Sequence, residues 1–224
     1  MLLFKMEESI IIRPKNGYYI SFEGIEGSGK THYLREISKK HPTEFYPALE
    51  LSNEGIGAKI LEVLSHRSDE FFRHGYPVSE MLFFFGMKLF ELDKTINPLL
   101  SKGKIVIEDR SVDTNCLYAA ILMEEKYGRL SVYSYYKKLM NIRRQLGPMP
   151  EKTICFIPDF DLALERAQKR DERKYNESEL SFLEKIYVGF LELCDKEYPR
   201  VLKIESDEMT TEEVILNLEK ILGF

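Results

Sequence analysis

A glycine-rich segment that ends in lysine and threonine is the first part of the sequence that could do chemistry. It matches the pattern G-x-x-x-x-G-K-[ST] with Gly24, Ile25, Glu26, Gly27, Ser28, Gly29, Lys30 and Thr31. In this pattern the backbone N–H groups of the loop surround phosphate oxygens, and the following helix adds the positive end of its dipole. We expect Lys30 to reach the β- and γ-phosphates of a nucleoside triphosphate and Thr31 to hold Mg²⁺. A simple glycine-rich turn is the alternative.

An acidic residue and an arginine follow a second apolar run. Residues 105–107 are Ile-Val-Ile, and Glu108, Asp109 and Arg110 come directly after them. A carboxylate at the tip of a strand next to a phosphate loop is where Mg²⁺ or its water shell is held, so Asp109 is the candidate. A solvated turn is the alternative for this acid alone. Arg110 offers a planar fork for a second phosphate group, that of an acceptor.

The elements that must position these residues alternate between short apolar strands and longer helical patterns. The predicted strands are 18–22, 44–49, 105–107, 153–157 and 201–204. The predicted helices are 30–39, 57–64, 80–100, 131–145, 162–170, 179–196 and 211–222. This alternation predicts an α/β fold with a parallel sheet that helices cover on both faces. Ligands of such sheets bind at the carboxyl ends of the strands, which is where the loop and Asp109 fall.

Composition excludes several classes of protein. The chain has 224 residues, of which 44% are hydrophobic, so it can bury a large core without disulfides. The net charge of −5 argues against a protein that coats nucleic acid. The three cysteines lie 39 residues apart, which fits a reducing compartment. No apolar run is long enough to span a membrane and no signal peptide is evident, so we expect a cytoplasmic protein with neither nucleic acid nor membrane as a partner.

The motifs together resemble those of the thymidylate kinase family of P-loop nucleoside monophosphate kinases. Residues 22–31 (FEGIEGSGKT) are similar to the family's Phe-Glu-Gly-(Ile/Leu)-(Asp/Glu)-Gly-(Ala/Ser)-Gly-Lys-Thr opening. Residues 108–115 (EDRSVDTN) fall on its Ser-Asp-Arg-Tyr-x-Asp-Ser-Ser segment, and residues 162–170 and 179–193 fall on the helices before and after its lid. The resemblance covers roughly residues 17–222.

The resemblance implies a fold, an activity and an assembly. The fold would be a three-layer P-loop kinase domain over residues 1–224, with a five-stranded parallel sheet, an N-terminal extension at 1–16 and a short lid at about 168–178. The activity would be Mg²⁺-dependent transfer of the γ-phosphoryl of ATP to dTMP. The assembly would be a homodimer. The residues of the loop from Gly24 to Thr31 would bind ATP, and Thr31 and Asp109 would serve the metal.

The acceptor would lie against residues from several parts of the chain. By position in the family, Arg110 would bind the acceptor phosphate, and Glu26 would lie near the acceptor sugar and phosphate. Glu50 and Asn115 fall on further acceptor-binding positions. Phe84 falls on the position of a Phe that stacks on thymine. Lys88 falls on the position of an Arg that bonds the carbonyl edge of that base, and four-residue spacing puts Lys88 on the same helix face as Phe84.

The lid would supply a cation to the transferred phosphoryl. The phosphate loop carries no Lys or Arg before Lys30, so the second positive charge must come from elsewhere. In one type of the family lid arginines do this. Arg173 is the first choice and Arg170 the second, with Lys174 as an alternative to Arg173. A mixed-charge solvated loop is the competing interpretation.

The sequence departs from the family on the acceptor side. Leu49 replaces an Arg, Ser111 replaces a Tyr, Ala119 replaces a Gln and Lys88 replaces an Arg. ATP-dependent phosphoryl transfer is thus better supported than thymine as the base. A kinase of the same fold for another (deoxy)nucleotide or for a deoxynucleoside stays open. A nucleoside kinase would need a general base, for which Glu26 or Glu108 could serve. A nucleotide switch without an acceptor is a further alternative, which the Asp109–Arg110 pair and the basic lid disfavour.

Overall fold

Five parallel strands form the central sheet of the protein, which is described here from a computed structural model. The structure describes residues 17–48, 58, 59, 62, 73 and 75–223. The strands are β1 (Tyr18–Glu23), β2 (Phe45–Ala48), β3 (Ile105–Asp109), β4 (Lys152–Phe156) and β5 (Val201–Ile204). Their spatial order is β2-β3-β1-β4-β5. The predicted parallel sheet is confirmed, and each strand lies within two residues of its predicted bounds at either end.

Helices cover both faces of the sheet. They are α1 (Lys30–Lys40), α2 (Pro77–Glu91), α3 (Asn97–Leu100), α4 (Val112–Tyr127), α5 (Val132–Leu146), α6 (Phe160–Arg170), α7 (Glu177–Lys196) and α8 (Thr211–Leu222). Alternate residues of β1 (Tyr18, Ile20 and Phe22) pack in one apolar cluster with side chains of α1 and α8. The second cluster joins α4, α5, α6 and α7 on the opposite face. The three-layer arrangement expected from the resemblance is therefore present.

The predicted helix 80–100 is interrupted. It begins earlier, at Pro77, which occupies a first-turn position that needs no N–H donor. Between α2 and α3 the chain forms a π-helical turn, Leu92–Ile96, in which Asn97 N–H donates to the carbonyl of Leu92, five residues back. Pro98 follows at once, and because proline lacks an N–H and crowds the carbonyl four residues back, a regular α-helix cannot continue through it.

Helix α4 was not among the predicted helices. It follows β3 directly, and all of residues 112–121 except Tyr118 are buried, including Asp113, Thr114 and Asn115. A helix that is buried on most sides, with polar residues in its buried part, shows no apolar stripe in its sequence. This explains why periodicity did not reveal it. The predicted helix 57–64 lies outside the described residues, except for isolated positions.

Local side-chain hydrogen bonds cap two of the helices. Asp159 accepts a hydrogen bond from the backbone N–H of Leu162 at 3.1 Å, at the start of α6. Thr210 and Glu213 form a reciprocal capping box at the start of α8. In addition, no helix among the described residues combines the length and apolar character that crossing a bilayer requires.

Candidate active site

The glycine-rich loop lies between β1 and α1, at the carboxyl end of the sheet. Gly27 has φ = +74°, and a Cβ placed there would come within 2.0 Å of the carbonyl oxygen of Ala163 in α6. Gly24 has φ = +143°, and a Cβ there would lie 2.6 Å from the carbonyl oxygen of Phe156. Both positions therefore require glycine, because the left-handed backbone and the close approach exclude a side chain. The loop is held against β4 and α6 in a fixed shape.

The two predicted metal-site residues meet at the end of this loop. Thr31 Oγ1 donates to Asp109 Oδ2 at 2.5 Å. Asp109 ends β3 and pairs in register with Phe22 of β1, the strand that leads into the loop. The parallel pairing of β1 and β3 therefore brings Asp109 close to Thr31. The second carboxylate oxygen, Asp109 Oδ1, is buried and has no hydrogen-bond partner within the described part of the chain. A buried, unpartnered carboxylate oxygen beside a hydroxyl fits a hard divalent cation such as Mg²⁺.

No dedicated cage for a metal surrounds these two residues. Among the residues that the structure describes, no group of three or more His, Cys, Asp or Glu side chains is placed to hold a metal ion. Mg²⁺ is commonly bound through one or two protein ligands together with substrate phosphates and water. The donor set of Thr31 and Asp109 therefore fits a metal that arrives with a nucleotide.

The acidic residue of the loop forms an ion pair with the arginine that follows β3. Arg110 Nη2 lies 2.5 Å from Glu26 Oε1, and Arg110 Nη1 donates to the hydroxyl of Tyr118 at 3.0 Å. Burial alone would raise the pKa of the Glu26 carboxyl. The charges of Arg110, Lys30 and Arg170 outweigh that effect and lower the pKa to about 2. Three cations therefore converge on one carboxylate, as they would on a phosphate.

The backbone of Arg110 is unusual. Its φ is +60°, a left-handed conformation that is uncommon outside glycine. The Arg110 N–H donates to the carbonyl of Phe22 at 3.0 Å, and its own carbonyl accepts from Lys88 Nζ at 2.7 Å. Lys88 Nζ also lies 2.7 Å from Glu108 Oε1. Lys88 and Glu108 are 4% and 1% exposed, so this is a buried ion pair. A base carbonyl would have to compete with these acceptors for Lys88.

The two candidate lid arginines have different partners. Arg170, the last residue of α6, places Nη1 3.5 Å from Glu26 Oε2 and donates through Nε to Asp171 at 2.6 Å. Arg173 forms a two-pronged pair with Glu179, with distances of 2.9 and 2.8 Å. Glu179 in turn caps the start of α7. The structure thus brings Arg170, not Arg173, to the phosphate loop.

The other predicted acceptor residues are Phe84, Asn115 and Glu50. Three consecutive phenylalanines on α2 divide between environments: Phe85 is buried in the core, Phe83 is exposed and Phe84 is intermediate. Asn115 is buried in the first turn of α4, and within the described chain its Oδ1 has no hydrogen-bond partner. Glu50 lies outside the described residues.

A buried acid behind the site fixes the segment that follows Arg110. Glu23 ends β1, is fully buried, and accepts hydrogen bonds from Ser111 N–H at 2.8 Å and from the Thr114 hydroxyl. Burial, and next the charge of Asp113, raise the pKa of Glu23 to about 8. Because Ser111 and Thr114 stand at the start of α4, Glu23 ties that helix to β1.

A second buried acid, Asp113, links α4 to Thr153 of β4 and to Arg200. Asp113 accepts from both terminal nitrogens of Arg200, at 2.9 and 2.8 Å, and from Thr153 Oγ1 at 2.6 Å. Burial would raise the pKa of Asp113, but the charge and hydrogen bonds of Arg200 hold it below its ordinary value. Asp113 therefore stays ionised beside Glu23 and connects α4 to β4.

The sequence analysis did not identify Tyr118 as a site residue. It assigned Lys88 to the base of the acceptor, whereas the structure pairs Lys88 with Glu108. Tyr118, whose hydroxyl receives the Arg110 hydrogen bond, lies two turns into α4, the helix that periodicity did not reveal. Arg110 lies before α4 and has a left-handed backbone, so helical spacing gives no signal for this contact. The Lys88–Glu108 pair joins residues 20 positions apart, and only the packing of α2 against β3 brings them together.

Comparison with known proteins gives a consistent result. The family model described as thymidylate kinase matches residues 22–215. A thymidylate kinase of Rickettsia bellii is 29% identical over 213 residues, which are 93% of this chain and 97% of that protein. One from Caldanaerobacter subterraneus is 30% identical over 186 residues, with 82% and 84% covered.

A solved structure has the same fold. The crystal structure of thymidylate kinase from Ehrlichia chaffeensis superposes with a TM-score of 0.63 at 22% identity, covering 94% of this chain and all of that one. The family model spans most of the chain, including the glycine-rich loop, Asp109, Arg110 and residues 168–178, the predicted lid. The chain belongs to the thymidylate kinase family.

Proposed function

We propose that this protein transfers the γ-phosphoryl group of ATP to dTMP, giving dTDP and ADP. The family membership supports this reaction. The cluster of Glu26, Arg110 and Arg170 supports it independently, because one carboxylate already attracts the cations that two phosphate groups would need. This convergence of charges is the single observation on which we base the proposal.

The ATP side of the site rests on the loop and on two side chains beside it. The N–H groups of the loop and the start of α1 would hold the phosphates, and Lys30, which is 6% exposed, would face the β- and γ-phosphates. Thr31 and Asp109 would hold Mg²⁺, which when bound neutralises charge on the phosphates. Asp109 Oδ1, unpartnered in the described chain, is the group we expect to face the metal or its water shell.

The acceptor is better explained as a phosphate than as a hydroxyl. A hydroxyl acceptor needs a general base with a pKa near the working pH. The pKa of Glu26 is lowered to about 2, so that carboxylate is a weak base. Glu108 is buried against Lys88 and the Tyr19 hydroxyl. An acceptor phosphate is already ionised and needs no base, which favours a nucleoside monophosphate over a nucleoside.

The step that we propose is an in-line displacement. An oxygen of the acceptor phosphate forms a bond to the γ-phosphorus, and the bond from that phosphorus to the β–γ bridging oxygen breaks as ADP leaves. Arg110 would orient the attacking phosphate. Lys30 and Arg170 would stabilise the negative charge that spreads over the transferred group. Glu26 would hold the two guanidiniums in place before substrates arrive.

The base and the assembly are also part of the proposal. We expect the ring of Phe84, which is partly exposed, to stack on the base as the family resemblance implies, and Asn115 Oδ1, buried and unpartnered within residues 75–223, is a candidate polar contact to the nucleotide. A homodimer and a cytoplasmic location are further predictions that follow from the family resemblance. Exposed apolar side chains on α2, namely Val78, Leu82 and Phe83, would suit a contact between subunits.

A substrate panel tests the proposal. The protein would be incubated with Mg²⁺-ATP and, separately, dTMP, dUMP, dCMP, dGMP, thymidine or no acceptor, and ADP formation would be measured. We expect the highest turnover with dTMP, side activity with dUMP and little with thymidine. A turnover with thymidine equal to that with dTMP would contradict the phosphate acceptor. ATP hydrolysis that no acceptor increases would favour a nucleotide switch.

A further inference from the structure

The buried ion pair between Lys88 and Glu108 has no place in the proposed reaction as described so far. Lys88 Nζ lies 2.7 Å from Glu108 Oε1 on the neighbouring strand β3. The other oxygen of Glu108 accepts from the hydroxyl of Tyr19, and that hydroxyl lies 3.1 Å from Ser111 Oγ. Each charge is therefore paired and hydrogen-bonded inside the protein.

A pair of this kind is seldom retained for stability alone. Removing two charges from water costs free energy that their mutual attraction recovers only with good geometry, and apolar replacements are often as stable. The two side chains are 4% and 1% exposed, and Glu108 lies two residues before Arg110 in the chain. A role in holding a specific conformation is therefore the better explanation of the Lys88 and Glu108 side chains.

The conformation in question is that of the Arg110 backbone. Arg110 has φ = +60°, which costs a non-glycine residue free energy and persists only where neighbouring contacts enforce it. Two contacts do so here. Its N–H donates to Phe22 in β1, and its carbonyl accepts from Lys88, which Glu108 holds in place. The backbone is thus fixed on both sides of the Cα from which the guanidinium projects toward Glu26.

We propose that Lys88 and Glu108 are a positioning pair that fixes the backbone of Arg110, so that its guanidinium meets the acceptor phosphate, and that Lys88 does not read the base. The inference rests on the proposed function in that it takes Arg110 as the phosphate-binding residue. It changes the role predicted for Lys88: the ammonium acts on the acceptor through Arg110, and discrimination between bases lies elsewhere in the pocket.

A double-mutant cycle tests whether Lys88 acts through Arg110. The variants are Lys88→Met, Arg110→Ala and the two combined, with Lys185→Met as the control. Lys185 also pairs with a glutamate, Glu125, at 2.7 Å, but both are exposed. We expect Lys88→Met to lower kcat/KM for the acceptor roughly 10- to 100-fold, as misplaced binding groups do, and to leave the KM for ATP within about twofold. In the Arg110→Ala background the same change should have almost no further effect.

The choice of acceptor separates positioning from base reading. Under the proposal, Lys88→Met lowers turnover of dTMP and dCMP by the same factor, so their ratio stays constant. If Lys88 reads the base, the ratio collapses and the effect persists in the Arg110→Ala background; either result overturns the proposal. Wild-type activity decides the proposed function separately: if another monophosphate is the better acceptor, the cycle is run with that one.

A second variant covers the case in which Lys88→Met leaves the Glu108 charge buried and the protein fails to fold. Lys88→Met combined with Glu108→Gln removes both charges, and such a neutral replacement of a buried pair is commonly tolerated. Thermal unfolding with and without ATP establishes that the variant is folded and binds nucleotide. It should still show the selective loss of acceptor kcat/KM. A folded double variant with wild-type acceptor kinetics would overturn the proposal.

Discussion

Arg170 reaches from the end of α6 to the phosphate loop, where its Nη1 lies 3.5 Å from Oε2 of Glu26. The same carboxylate pairs with Arg110 through its other oxygen. Glu26 therefore connects residues 168–178, the predicted lid, to the residue that we expect to bind the acceptor phosphate. Both guanidiniums are held within reach of the loop before any phosphate is bound, which reduces the rearrangement that substrates must cause.

Arg170→Ala should lower kcat by about 100- to 1000-fold while changing ATP affinity only slightly. The reason is that a cation on the transferred phosphoryl acts mainly in the transition state, where charge has spread over that group. Steady-state kinetics and equilibrium binding of ATP would measure the two effects.

Arg173→Ala is the matched control, since it removes the same group three residues later. Arg173 is held by Glu179 at the start of α7, and such partly exposed pairs contribute about 0–1 kcal/mol to stability. We expect a small loss of stability and near-normal turnover. Should Arg173→Ala be the damaging change and Arg170→Ala the mild one, the preference for Arg173 derived from the sequence would be right.

Lys30→Ala should abolish most of the turnover and leave the fold intact. Lys30 follows the last glycine of the loop and meets charge that grows in the transition state, so its loss should cost about 3–4 kcal/mol, or 100- to 1000-fold in rate. Turnover under saturating ATP measures the effect, and circular dichroism confirms folding. Near-normal turnover would contradict the role of Lys30, whereas Lys39→Ala, a change at an exposed position of the same helix, should have no effect.

Asp109→Asn should raise the Mg²⁺ concentration needed for half-maximal activity by about 10- to 100-fold, the usual cost of losing a group that supports a metal. The amide keeps the size of the side chain and can still accept from Thr31, but it lacks the negative charge. Activity measured against Mg²⁺ at fixed ATP gives this value. An unchanged Mg²⁺ dependence would show that Asp109 serves another purpose, such as orienting Thr31 alone.

The sequence predicted those parts of the site that depend on local pattern. The phosphate loop is contiguous in the chain, and the position of Asp109 follows from the rule that parallel strands present their carboxyl ends together. The partners of Arg170 and Arg173 could not be predicted, because both arginines lie in one mixed-charge segment. Only the fold decides which of them faces Glu26 and which faces Glu179.

The roles of Lys88 and Glu108 could not be predicted for a related reason. The four-residue spacing from Phe84 placed Lys88 on one face of a helix, but it did not show which strand that face meets. In the structure this helix face contacts β3, and Glu108 of that strand forms an ion pair with the ammonium of Lys88. Buried pairs between separate elements depend on tertiary packing, whereas strands and capping boxes such as Thr210 with Glu213 are encoded locally.

Glu23→Gln should change how stability depends on pH. The pKa of Glu23 is raised to about 8 in the folded protein by burial and by the charge of Asp113, against 4.5 for the unperturbed group. Between pH 4.5 and 8 the folded state therefore binds more protons at this position than the unfolded state does. By linkage, the contribution of Glu23 to stability is complete below pH 4.5 and is lost as the pH rises toward 8. A glutamine is neutral at every pH, so its contribution to stability does not change as the pH rises.

The difference in unfolding free energy between Glu23→Gln and wild type should therefore grow in favour of the variant as the pH rises from 5 to 8. Since one pKa unit corresponds to about 1.4 kcal/mol, a change of a few kcal/mol across this range is the expected scale. Urea unfolding at several pH values measures it. Glu205→Gln, a change of the same kind at an exposed position, is measured as the control. If the Glu23→Gln difference does not vary with pH, or shrinks as the pH rises, then Glu23 is ionised in the folded protein and the two buried acids Glu23 and Asp113 are both charged.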